Sequence, residues 1–113
     1  MLLEIPLRAE PSQAVSLVLG GQDVTLRLFT REVAGSPRLF CDLMAGGVWL
    51  WRGRLCHNGQ RLKLYDYLPF EGDLAFVDMQ ADDDPVWSGL GDRWRLIWGT
   101  DDDWSALRAG GDV

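Results

Sequence analysis

Apolar and polar residues alternate with period two along most of the chain. Val15, Leu17 and Leu19 interleave with Ser16, Val18 and Gly20. After Gly20-Gly21-Gln22-Asp23 the alternation resumes, with Val24, Leu26 and Leu28 on one face and Thr25, Arg27 and Phe29 on the other. Two such runs around a glycine pair predict a β-hairpin, because tight hairpin turns need positive φ at their central residues and glycine adopts it without steric cost.

Further strands follow at short intervals. Pro37 opens a run over 38–44 that stops at Gly46-Gly47, and Val48-Trp49-Leu50-Trp51-Arg52 comes next. Plain alternation puts Trp49 and Trp51 on one side, with Gly53 marking a bulge or bend. The Asn58-Gly59 turn signal separates Arg54-Leu55-Cys56 from a run over 62–65. Runs over 74–79 and 93–98 complete the set, and in the last of these Trp94, Leu96 and Trp98 share the face opposite Arg93, Arg95 and Ile97. Trp94, Leu96, Trp98 and Leu26 are the expected core residues. No segment sustains helical periodicity over a normal helix length. A single turn over 104–108 is the exception, capped by Asp102 or Asp103. Strands at such spacing make an all-β fold: one small antiparallel barrel or sandwich of about seven strands. It fills residues 1–100, followed by an acidic C-terminal tail over 101–113 whose last five residues have nothing to pack on.

The size suits one domain, since 113 residues suffice to bury a single core. A hydrophobic share of 47% and a charged share of 25% exclude global disorder. No apolar run approaches the roughly 20 residues of a membrane span, and Glu4 interrupts the opening too soon for a signal peptide. The net charge of −6 lacks the basic footprint of nucleic-acid binders. Neither a membrane nor nucleic acid is therefore an expected partner.

Candidate chemistry is sparse. Cys41 and Cys56 have no companion pair, and His57, the single histidine, leaves a four-ligand zinc set one short. Both cysteines read as reduced, partly buried small hydrophobes. The runs Asp82-Asp83-Asp84 and Asp101-Asp102-Asp103 do not follow the spaced calcium-loop pattern and read as solvated turn residues or a partner-facing patch. Cys56 and His57 are sequence neighbours, which in a strand point to opposite faces. Neither a nucleophile elbow nor a phosphate-cradling loop is present. No catalytic residue, cofactor or metal is expected, and the chain does not read as an enzyme.

The unusual feature is indole content: Trp49, Trp51, Trp87, Trp94, Trp98 and Trp104. Each ring buries roughly 150–250 Å², and a small β domain is not expected to enclose all six. The surplus points to a protein interface, where Trp and Arg are enriched, with Trp49, Trp51, Arg52 and Trp87 as the anchors. Carbohydrate stacking is the alternative. It ranks second because the tryptophans are spread over four segments with no obvious groove.

Several blocks also stand in a familiar order: Glu4-Ile5-Pro6-Leu7, the hairpin over 15–28, Phe40-Cys41-Asp42-Leu43, a run over 72–78, Asp84-Pro85, and Leu90-Gly91-Asp92-Arg93-Trp94-Arg95-Leu96-Ile97-Trp98. This order resembles the cyanophage baseplate plug domain family, small proteins of contractile phage tails that are also encoded in prophages. The most specific piece is the Asp-Pro…Leu-Gly-Asp-Arg-x-x-Leu block. The likeness spans about residues 4–98, with an irregular middle section over 45–70. It implies a structural virion protein at the centre of the tail baseplate, assembled in the host cytoplasm. It also implies contacts with baseplate hub and tail-tube or spike proteins, and by analogy with a trimeric hub a homo-trimer. It carries over no catalytic residues.

Overall fold

The computed structural model describes residues 2–63 and 70–105. Seven strands form two antiparallel sheets: β1 (Leu3–Ile5), β2 (Ser12–Leu19), β3 (Gln22–Val33), β4 (Ser36–Ala45), β5 (Val48–Leu55), β6 (Asp73–Asp78) and β7 (Trp94–Gly99). The larger sheet is the meander β2-β3-β4-β5, and the smaller has the order β1-β7-β6. The architecture is a sandwich rather than a closed barrel.

Three two-residue turns build the meander. Gly20-Gly21, Ala34-Gly35 and Gly46-Gly47 all have positive φ at both positions, the backbone that matches the right-handed twist of the flanking strands. The first hairpin has the expected register, with Leu19 opposite Gln22 and Leu26 opposite Val15. The second was not foreseen. β3 runs on to Val33, and Ala34, with φ of 52°, turns it into β4. Pro37 lies inside β4, opposite Glu32. The pairing of β4 with β5 begins only at Phe40, so the missing proline N–H forfeits no ladder hydrogen bond on that side.

Core residues come from one face of each sheet. Val24, Leu26, Leu28, Leu39, Cys41 and Leu43 from the large sheet meet Ile5, Leu74, Phe76, Leu96, Trp94 and Trp98 from the small one. Trp94, Leu96, Trp98 and Leu26 are all buried, as alternation predicts. The run over 62–65 is not a strand where it is described. Instead, Asn58 and Arg61 make isolated bridges to Phe76 and Ala75, and Leu64 and Tyr65 lie outside the described residues. Gly91, with φ of 82°, sits where a Cβ would run into the Leu7 carbonyl. The N-terminal segment can close over the entry to β7 only because that position is glycine.

A helix starts at Asp101 and extends through Ser105 among the described residues. Its cap is Thr100 rather than Asp102 or Asp103. Thr100 Oγ1 accepts from Asp103 N at 3.2 Å while Asp103 Oδ2 accepts from Thr100 N at 3.0 Å, a reciprocal capping box. The Trp104 indole N–H donates to the carbonyls of Asp73 and Gly99. The frayed segment expected over 109–113 lies outside the described residues. No helix among the described residues is long and apolar enough to cross a membrane.

Candidate functional site: the outer face of the large sheet

In β5, local backbone geometry decides which side chains face outward. Its pairing with β4 slips twice: Cys41 faces Arg54, Leu43 faces Trp51, and Met44 faces Trp49. Each slip inserts one extra residue into β5, one around Arg52-Gly53 and one at Leu50. Gly53 adopts φ of 68°, and its N–H donates to Asp42 Oδ1 at 2.6 Å. These bulges overturn the expectation that Trp49 and Trp51 share a side. Trp51 follows Leu43 into the core and is 6% exposed. Its ring meets Phe70 edge-on at 6.3 Å, and its N–H donates to Cys41 Sγ at 3.4 Å. Trp51 is therefore a core residue rather than a surface anchor. Trp49 and Arg52 both emerge on the outer face, with the Arg52 guanidinium 4.9 Å from the Trp49 ring centroid.

β3 and β4 contribute the rest of that face. Because Val24, Leu26 and Leu28 point inward, Arg27, Phe29 and Arg31 point outward. The Arg27 guanidinium lies 5.9 Å from the Trp49 centroid, and that of Arg31 lies 5.1 Å from the Phe29 centroid. Phe29 stacks on Phe40 across the strands at 5.8 Å and an interplanar angle of 17°. A shallow groove of about 390 Å³ runs between Phe29, Arg31, Phe40, Asp42, Arg52 and Gly53. A neighbouring hollow shares Arg31, Asp42 and Arg52 and reaches Arg27 and Ser12. Thus the structure joins two of the expected anchors, Trp49 and Arg52, and adds Arg27, Phe29, Arg31 and Phe40. The sequence signal for the added group is an aromatic flanked by arginines two positions away on the polar side of an alternating strand.

Trp87 is elsewhere. It belongs to the single-turn 3-10 helix Trp87–Gly89 and is half-buried against the core. Four of the six indole N–H groups are satisfied internally: Trp51 as above, Trp94 by Asp83 O, Trp98 by Glu71 O, and Trp104 by Asp73 O and Gly99 O. The domain thus accommodates more indole than expected. Only Trp49 and Trp87 lack an N–H acceptor among the described residues.

The acidic loop after β6 is a clasp. Arg93 makes a two-pronged contact with the fully buried Asp78 carboxylate at 2.9 and 2.8 Å and reaches Asp83 at 2.7 Å. Its guanidinium also lies over the Trp94 ring at 4.3 Å. This partner, reinforced by backbone N–H groups, holds the Asp78 carboxyl well below the usual carboxylate range. Asp84 accepts from Asn58 N at 3.0 Å, His57 Nδ1 at 3.2 Å and Arg38 at 3.0 Å. The Asn58 N–H and then His57 lower its pKa as well. Asp82-Asp83-Asp84 is therefore not wholly solvated, and no cluster of three potential ligands occurs among the described residues. His57 faces Asp84, not Cys56. Hydrogen bonding to Cys41, then burial, raises the Cys56 thiol well above its ordinary value, and both cysteines are free and buried.

No curated protein matches the chain. A family model described as cyanophage baseplate Pam3 plug gp18 matches residues 2–102, which takes in both sheets and the start of the helix. On that match, over nearly all of the domain, the chain belongs to the cyanophage baseplate plug family.

Proposed function

We propose that this protein is a structural plug at the centre of a phage tail baseplate, held by hub and tail-tube or spike subunits and without catalytic activity of its own. It would be assembled in the host cytoplasm, occupy the virion tail, and match a trimeric hub as a homo-trimer. The observation that carries this reading, beside family membership, is the outer face of the large sheet. There a half-buried tryptophan, two stacked phenylalanines and cationic side chains remain on a surface that no other described element covers. Central aromatic and arginine side chains are the usual anchors of protein interfaces. Trp49 and Arg52 are assigned to that interface, and Trp87, whose indole N–H has no described acceptor, to a second contact.

Glycan stacking fits this surface poorly, because Trp49 is already engaged by the Arg27 and Arg52 guanidinium groups. The test is recovery of the tagged chain from a prophage-induced lysate. Co-purification with tail tube, hub and spike proteins supports the assignment, and recovery with metabolic enzymes only would refute it. The double variant Trp49→Ala, Arg52→Glu should fold and yet lose those partners.

A further inference from the structure

We infer that the outer face of the large sheet is built to receive a carboxylate-bearing segment of a partner protein, docked on Arg27, Arg31 and Arg52. All but one of the eleven basic residues are arginine, and nine arginines fall among the described residues. Six of these are engaged within the domain. Arg8 pairs with Glu10, Arg38 with Asp84, Arg61 with Asp73, Arg93 with Asp78 and Asp83, and Arg95 with Glu4, while Arg54 donates to the carbonyls of Arg61 and Leu62. The remaining three have no carboxylate or carbonyl partner among the described residues, and all three lie on one face. Each has its guanidinium against an aromatic ring: Arg27 and Arg52 at Trp49, Arg31 at Phe29.

Cation–π attraction restrains a guanidinium while leaving it N–H groups to donate. Arginine fixed in this way is preorganised for two-pronged binding of carboxylate. The one acid among them, Asp42, is 5% exposed and spends Oδ1 on the Gly53 N–H. Three cations thus surround one buried anion on a chain of net charge −6, a local inversion of sign that selects an acidic partner. Nucleic acid is the weaker fit, since a phosphate-tracking surface uses about 6–10 contacts against a repulsive overall charge.

This inference rests on the plug reading only for the partner's place in the baseplate, and the two are separable. The probe is an Asp/Glu decapeptide titrated into the full chain, read by NMR on arginine side-chain and indole signals, with oligo-dT of equal length as the phosphate competitor. The expected result is movement of the Arg27, Arg31, Arg52 and Trp49 signals, suppressed when salt rises to about 0.5 M, where the screening length falls below about 5 Å. Affinity should drop at least about tenfold in Arg27→Glu, Arg52→Glu. The neutral pair Arg27→Gln, Arg52→Gln serves should the reversal disturb folding. Shifts confined to other residues, tighter binding of oligo-dT, or peptide-independent self-association through this face would overturn the inference. If the peptide binds as expected but no tail protein co-purifies, the plug reading fails alone. If tail proteins still co-purify with Arg27→Glu, Arg52→Glu, the arginine face fails alone.

Discussion

β5 and β7 each carry two tryptophans in a short strand, yet the fold treats them oppositely. In β7, Trp94, Leu96 and Trp98 keep strict alternation, and all three enter the core. In β5, two bulges send Trp51 inward and Trp49 outward. The arginines follow the same division. Arg93, next to β7, is locked by Asp78 and Asp83 over a tryptophan ring, whereas Arg52 in β5 lies against a tryptophan without a described carboxylate. A regular strand consolidates the sandwich. A bulged strand forgoes some of that consolidation and presents an arranged surface instead.

The contrast breaks most visibly when the indoles are removed. Trp98→Ala deletes a ring buried between the sheets and hydrogen-bonded to Glu71, and should cost about 3–5 kcal/mol in urea unfolding. Trp49→Ala should cost under about 1 kcal/mol, the size of an exposed cation–π contact, while abolishing partner capture. Equal costs would mean that the two strands do not differ as described.

Next in size is the bulge itself. Gly53→Ala places a Cβ on a backbone at φ of 68°, a left-handed conformation that costs about 1–2 kcal/mol in other residues. It should also alter the near-UV circular dichroism of Trp49. Unchanged stability would show that the bulge tolerates a side chain.

The carboxylates give the β7 region an acid signature. Asp78 has a folded pKa held below its unfolded value, about 3.9, chiefly by Arg93. Its contribution is therefore fully present well above pH 4 and is lost as pH falls through that value toward the folded one. Asp84 acts in the same direction. Asp73 acts in the opposite direction, because burial raises its pKa despite N–H groups from Lys63 and Leu74. Urea midpoints measured from pH 7 to 2.5 should fall, and Asp78→Asn should flatten that fall while lowering the midpoint at pH 7. A slope unaffected by Asp78→Asn would remove the clasp from the account.

The smallest effect concerns the turn after Arg31. Ala34 is the one described non-glycine residue with positive φ. Ala34→Gly should raise stability by about 0.5–1 kcal/mol, seen as a higher melting temperature, and leave capture by the arginine face unchanged.

How much of this was legible in the sequence follows from the same backbone physics. The β2–β3 hairpin and the inward triplet of β7 obey period two without interruption, so alternation alone placed Leu26, Trp94, Leu96 and Trp98. β5 was illegible in detail. Gly53 announced an irregularity, but the slip at Leu50 has no glycine to mark it, and a one-residue slip reverses every later side chain. Ala34-Gly35 carries no plain turn signal, because alanine rarely adopts the left-handed region. The acidic loop reads as a solvated turn, and Asp82 and Asp83 are exposed, but its clasp is not legible because the partners, Arg93, Arg38 and His57, come from distant chain positions. Of the outer face, the sequence singles out Trp49 and Arg52, which the structure brings together. Arg27, Arg31, Phe29 and Phe40 became a site only when β3, β4 and β5 lay side by side.

Hydroxyl-radical footprinting of the free chain and of baseplates purified from phage particles tests the central claim most directly. The account predicts that Trp49 and Phe29 are labelled in the free protein and protected in the particle, while Trp94 and Trp98 are protected in both. Equal labelling of Trp49 and Phe29 in the two states would contradict it, leaving the outer face of the large sheet without a covering partner.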